Sequence, residues 1–240
     1  MMTRNLTMRN SSGMGRGLLI AAMLVVGLAV AVPAHAISIS YDLTSCHLTG
    51  GCGTATTFGT VTLTTNGTGV NFDVVLTSGN LFVETGAGAF SLFLFNDSVS
   101  GSTITGITAT LNGTTVNITD GLTGETNQSP IHADGTGNFT AHVFCETFAS
   151  CNGASGEDIN DLHFTVTNAT IADLTHANVP EGNVFVADIL CGQPGCTGLT
   201  GVVDATTPNQ ELPVPEPASL LLLGSGLAGL GVWRWKKSQI

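Results

Sequence analysis

Six cysteines stand in three close pairs, Cys46/Cys52, Cys145/Cys151 and Cys191/Cys196. Two sulfurs this near in sequence can close a disulfide or share a metal ion with a neighbour such as His47. The Cys-x-x-Cys spacing of zinc sites is missing. An even number of locally paired cysteines instead reads as a disulfide framework. Of the roughly fifteen formal pairings, sequence proximity selects the three local ones, each worth about 2 kcal/mol by loop closure. Other reactive types are sparse. His142 and His163 fall on the polar side of alternating segments and read as solvated. Gly153-Ala154-Ser155-Gly156 resembles a nucleophile turn but ends in Glu157 instead of glycine. The sequence has no His-Glu-x-x-His, phosphate-binding loop or dinucleotide fingerprint. We therefore assign no catalytic, cofactor-binding or metal residue. Two oxygen-rich stretches, Asp134 to Asn138 and Glu157-Asp158-Ile159-Asn160-Asp161, have the ligand type for Ca²⁺ but complete no EF-hand loop. Thr-x-Thr recurs at Thr60/Thr62/Thr64, Thr103/Thr105, Thr108/Thr110 and Thr165/Thr167. On a flat sheet such threonines could bind carbohydrate or ice, although their spacing along the chain is irregular.

The charge distribution narrows the partners. No Lys or Arg lies between Arg16 and Arg234, while all seventeen acids lie in that interval, sixteen of them within residues 37–214 and the last at Glu216. Residues 37–214 thus carry a formal charge of −16 with neutral histidines. Phosphate recognition needs cationic side chains, so nucleic acid is excluded as a partner. Anionic membrane surfaces are excluded by the same repulsion, and an oxyanion would have to be held by backbone groups or a metal.

The elements that must carry these residues are strands. Ile37, Ile39, Tyr41 and Leu43 alternate with polar residues, as do Val70, Phe72, Val74 and Leu76, and Leu162, Phe164 and Val166. Ile107, Ala109 and Leu111 form another such set, and Phe139, Ala141, Val143 and Cys145 read as one more strand. Ser91–Phe95 and Val184–Leu190 are continuously apolar, as strands covered on both faces are. Asn66-Gly67, Asn112-Gly113, Asp120-Gly121 and Asp134-Gly135 supply turns. Nine or ten short strands without a strong helix predict an all-β, antiparallel β-sandwich over residues 37–199, the jelly roll being one form of it. Residues 200–213 read as a polar linker.

Both ends carry addresses. Arg4, Arg9 and Arg16 precede the apolar run Leu18–Val30, and Ala34-His35-Ala36 offers a small-x-small cleavage site. Residues 1–36 read as a signal peptide cut by signal peptidase after Ala36, flanked by Ala34. At the other end, Pro215 and Pro217 fix an extended segment around Glu216. No charge follows from Ala218 to Trp233, sixteen residues that rise about 24 Å as a helix. A hydrocarbon core is about 30 Å thick, so flanking residues extend the predicted span to 218–235. Arg234, Lys236 and Lys237 suit the cytoplasmic side.

Pro215-Glu216-Pro217, a short apolar helix and a basic end together resemble the PEP-CTERM sorting signal of Gram-negative bacteria, here over residues 214–240. The resemblance implies recognition by an exosortase, removal of the tail near the Pro-Glu-Pro, and association with exopolysaccharide and biofilm. We therefore expect an exported protein, held in the inner membrane by the C-terminal helix, then released to the cell surface or matrix. The exported domain is expected to be non-enzymatic. Alternatives are a carbohydrate- or Ca²⁺-dependent binding module, or a secreted hydrolase, which would need His142 or His163 beside a carboxylate in a cleft.

Overall fold

The computed structural model describes residues 36–118, 121–147, 151, 158–209 and 212–213. Among them are sixteen strands: β1 Ile37–Leu43, β2 Ser45–Leu48, β3 Gly59–Asn66, β4 Gly69–Leu76, β5 Leu81–Phe82, β6 Ser91–Phe95, β7 Thr103–Leu111, β8 Thr114–Val116, β9 Leu122–Glu125, β10 Ile131–Ala133, β11 Gly137–Phe139, β12 Ala141–Cys145, β13 Asp161–Thr167, β14 Phe185–Leu190, β15 Thr200–Ala205 and β16 Leu212–Pro213. One four-residue helix, α1 Ile171–Leu174, is closed at its start by a capping box between Thr170 and Asp173. The fold is all-β, and every strand pairing is antiparallel.

The first sheet runs in the order β16-β1-β3-β4-β13-β7-β8, and the second in the order β2-β15-β14-β6-β12-β9, with β5 also on β14. Their facing sides share one aromatic core. Phe72 of β4 stacks on Phe164 of β13 at 4.6 Å and meets Phe95 and Phe185 of the second sheet at 5.0 and 5.9 Å. Tyr41 of β1 packs edge-on against Phe185 at 4.9 Å. The alternation in β1, β3, β4 and β13 buries Tyr41, Leu43, Val61, Leu63, Phe72, Val74, Leu162 and Phe164 and turns Ser, Thr, Asn and Asp outward.

The second sheet is covered on its other face as well. Leu94, Val186 and Val202 point away from the main core and meet Ile131, Ala133 and Phe139 of the β10–β11 hairpin, with Ala87 beside them. This explains why β6 and β14 lack alternation: both of their faces are apolar surroundings. It also corrects one strand. Phe139 lies in β11 of the covering hairpin, whereas Ala141, Val143 and Cys145 lie in β12 of the sheet, because the chain changes layer at Thr140.

The linker over residues 200–213 is a second correction. Thr200–Ala205 is β15, hydrogen-bonded between β14 and β2 with Val202 and Val203 fully buried, and Leu212–Pro213 pairs with β1. Thr, Pro, Asn, Gln and Glu crowd the second half of this stretch, so local composition resembles a linker. Pairing on both sides makes it a strand. The signal peptide with Ala34, the Pro215-Glu216-Pro217 motif and the helix at 218–235 lie outside the described residues. Ala36 is the first described residue, and Ile37 opens β1. No helix among the described residues is long and apolar enough to cross a membrane.

Candidate functional site

All three local cysteine pairs are joined. Cα–Cα distances are 6.2 Å for Cys46–Cys52, 6.2 Å for Cys145–Cys151 and 5.7 Å for Cys191–Cys196, within the normal disulfide range. Glu84, Cys145 and Cys151 are the one group of three metal-type ligands that comes within 4.8 Å among the described residues. Both of its sulfurs belong to a disulfide, so it does not offer a thiolate site. The oxygen-rich stretches do not converge either. The Asn160 carboxamide accepts from the Asn112 N–H at 2.8 Å, Asp161 accepts from the Thr110 hydroxyl at 2.7 Å, and Asp134 and Asp158 are exposed on separate loops. Glu157 lies outside the described residues.

The outer face of the first sheet is an ordered polar surface. Antiparallel register places residues of β1, β3, β4, β13 and β7 in cross-strand rows. Ser38, Thr64, Asn71, Thr165 and Thr105 form one row, and Ser40, Thr62, Asp73, His163 and Thr108 form the next. Strands lie about 4.8 Å apart, and same-face residues along a strand about 6.8 Å apart. The rows are internally bonded: Ser38 to Thr64 and Ser40 to Thr62 at 3.1 Å, Thr165 to Asn71 at 2.9 Å, and His163 Nδ1 to Asp73 at 3.0 Å. The irregular Thr-x-Thr spacing along the chain thus becomes regular across the sheet. Between His163 and Thr165 the register with β7 slips by one residue, and Gly106, with φ of 64°, takes up the bulge. A shallow groove of about 530 Å³ lies there, lined by Thr62, Thr64, Asn71, Asp73, Gly106 and His163. His163 is a surface histidine, as its strand position predicts.

His142 is not. It is 3% exposed, because the face of β12 that would otherwise meet water lies under the Gly88–Phe90 turn and the segment leading into β10. Its Nδ1 is 2.7 Å from the Ser91 hydroxyl, which donates to the Gly88 carbonyl at 2.7 Å. Its ring stacks on Phe144 at 4.5 Å, and its Nε2 is 3.7 Å from Glu125. Burial pulls the imidazole below its usual range, with Glu125 opposing. Next to it opens a pocket of about 540 Å³ whose walls include Phe90, Pro130, Ile131 and Phe144, with Glu125, Gln128 and His132 at its polar side. Ala89 and Phe90, immediately before Ser91, both hold left-handed φ, 55° and 56°. Such strain in residues with side chains clusters at functional sites. The sequence offered no route to this grouping, since Ser91, Glu125 and His142 belong to three strands joined only by register.

Ser91, His142 and Glu125 invite comparison with a serine hydrolase. The hydroxyl is fully buried, however, and its proton is committed to a backbone carbonyl. An attacking oxygen needs access to a carbonyl carbon and a base free to take its proton. The arrangement orients the imidazole and offers no nucleophile. The other His–carboxylate contacts are His47–Asp204 and His163–Asp73, both at 3.0 Å. In a domain without Lys or Arg, histidine is the nitrogen partner in each of these carboxylate contacts, and it carries charge only when protonated.

An all-β, disulfide-bonded, strongly acidic domain between two terminal segments is the class defined so far. Residues 213–237 match the family model of the PEP-CTERM protein-sorting motif. The tail therefore carries the motif through which an exosortase sorts exported proteins, and exosortase is the processing partner it implies. No curated protein and no solved structure matches the chain.

Proposed function

We propose that this chain is a non-enzymatic protein of the cell surface or extracellular matrix, whose domain is a β-sandwich that holds exopolysaccharide. On this reading signal peptidase cuts after Ala36, the 218–235 helix retains the protein in the inner membrane, and exosortase processes it at Pro215-Glu216-Pro217. The observation that carries the binding role is the set of hydroxyl and carboxamide rows across five strands of the first sheet. Each row presents donors and acceptors at the strand spacing, without a Lys or Arg to select phosphate or sulfate. Val75, 41% exposed, is the one large apolar side chain on that face, so a protein partner would find few of the apolar anchors that interfaces use. A polysaccharide repeats its own hydroxyls and can engage many weak sites at once, gaining by multivalency. Ice requires a flat lattice, and the bulge at Gly106 dents this one. The buried, committed Ser91 hydroxyl supports a role without catalysis.

The test pairs fractionation with co-sedimentation. In wild-type cells the processed protein should travel with exopolysaccharide. Replacing Pro215-Glu216-Pro217 by three alanines should leave an uncleaved inner-membrane form. Thr62→Val, Thr64→Val and Thr165→Val together keep the shape of the face, and should release the processed protein from the polysaccharide. If that triple variant still co-sediments like the wild type, the binding role of this face is wrong.

A further inference from the structure

We propose that the pocket beside His142 is a second binding site, for a sugar unit that carries a free amine. It lies on the second sheet, apart from the hydroxyl rows, and does not depend on them. Hydrogen-bond accounting decides the ligand class. The Ser91 hydroxyl has one proton, and that proton goes to the Gly88 carbonyl. The 2.7 Å contact between Ser91 and His142 therefore needs its hydrogen on His142 Nδ1. A neutral imidazole protonated at Nδ1 presents a lone pair at Nε2. In that form the lone pair faces the Glu125 carboxylate at 3.7 Å, beyond direct hydrogen-bond distance. The lowered basicity of the buried ring agrees with the neutral form.

Two facing acceptors ask for a donor with more than one hydrogen, and the carboxylate asks for positive charge. An ammonium group meets both demands. The protein cannot supply one, because residues 37–214 contain no Lys or Arg. The remaining walls match the rest of such a ligand. Phe144, held parallel to His142, and Phe90, 51% exposed, give apolar surface for the C–H face of a pyranose ring, and Gln128 lies within reach of its hydroxyls. The strained turn at Ala89–Phe90 is fixed from beneath: a Cβ on Gly88 would stand 2.7 Å from the His132 carbonyl, so turn and hairpin form one rigid wall. Pre-organisation of this kind lowers the entropy cost of binding.

The experiment is titration calorimetry on the full chain in detergent with its disulfides intact, using a β-linked glucosamine tetramer and its fully N-acetylated counterpart. The free-amine tetramer should bind at least about tenfold more tightly than the acetylated one, the scale of one charged hydrogen bond. Glu125→Gln, at an exposed position, should erase that preference without lowering Tm, and Phe144→Leu should weaken both oligomers. The Thr62, Thr64 and Thr165 valine variant should bind the tetramers unchanged. Equal binding of the two tetramers overturns the proposal. So does an amine preference that survives Glu125→Gln and disappears with salt, which would be diffuse attraction to an acidic surface. Loss of tetramer binding in the threonine variant would assign the ligand to the other face and also overturn it.

Discussion

At the scale of single residues, the second sheet stands out for the acids it buries. Glu84 is 2% exposed; one carboxylate oxygen accepts from the Cys145 N–H at 3.0 Å, and the other has no hydrogen-bond partner among the described residues. Burial raises it from 4.5 to about 7, with the Asp188 charge adding in the same direction. Asp188 is fully buried and receives the N–H groups of Thr85, Gly86 and Ala87, yet burial still raises it. For Glu84 the sign follows from where protons bind. Below about pH 4.5 it is protonated folded or unfolded, and its contribution to stability is complete. As pH climbs toward 7 the unfolded chain ionises freely while the folded one resists, so stability is lost across that window and levels off above it. Glu84→Gln keeps an oxygen for Cys145 and removes the charge. In urea titrations it should be more stable than wild type near pH 8, with a flatter profile between about pH 4.5 and 7. Parallel profiles for the two proteins would refute this account. His142 acts in the opposite sense, since its lowered basicity is lost stability as pH falls below 6.5. None of this was legible in the sequence. Glu84 and His142 look like surface residues until the hairpin and the 84–90 turn cover their sheet.

At the scale of elements, local signals worked where the element was local. Asn112-Gly113 joins β7 to β8 as a two-residue turn, with φ of 51° and 78° and Leu111 opposite Thr114, the geometry that Asn-Gly favours. In the β3–β4 hairpin Asn66 is the last paired residue, opposite Gly69, and the two-residue turn is Gly67-Thr68, with positive φ at Gly67. They failed where an element depends on distant partners, as β15 depends on β14 and β2. The Cys191–Cys196 loop shows the same dependence. Its Gly192 N–H donates to the Asn80 carboxamide at 3.1 Å, and a Cβ at Gly192 would stand 1.8 Å from the Gly79 carbonyl oxygen. Gly192→Ala must therefore push two backbones apart, with no flexible side chain to yield. The expected cost is about 2 kcal/mol or more, read as a fall in the urea midpoint at unchanged slope. A midpoint within error of wild type would mean that the two loops are not in contact.

At the scale of the whole molecule, charge dominates. A domain of −16 without Lys or Arg repels itself, and three histidine–carboxylate contacts offset little of this. Screening acts over about 10 Å at 0.1 M salt. Raising NaCl from near zero to about 0.1 M should therefore raise Tm, whereas an ordinary mixed-charge surface would respond weakly or lose ion-pair energy. Ca²⁺ at matched ionic strength separates a specific site from screening, since only a site adds to the NaCl response. A Tm insensitive to NaCl would show that the acids are spaced widely enough not to interact. Polymeric partners fit this charge only if they are neutral or cationic.

The sequence by itself determined the address, the charge, the all-β class and the local cysteine pairs. Each depends on composition or on residues near one another in the chain: the Pro-Glu-Pro tail, the missing cations between Arg16 and Arg234, the period-two alternation, and sulfurs five or six residues apart. Tertiary structure alone decided that Thr200–Ala205 is a central strand, that polar residues of five strands fall into rows, and that Ser91, His142 and Glu125 meet beside a pocket. The physical reason is register. A strand knows which of its residues share a face, but which residues stand opposite them, and whether that face meets water or another layer, is settled only when the sheets assemble.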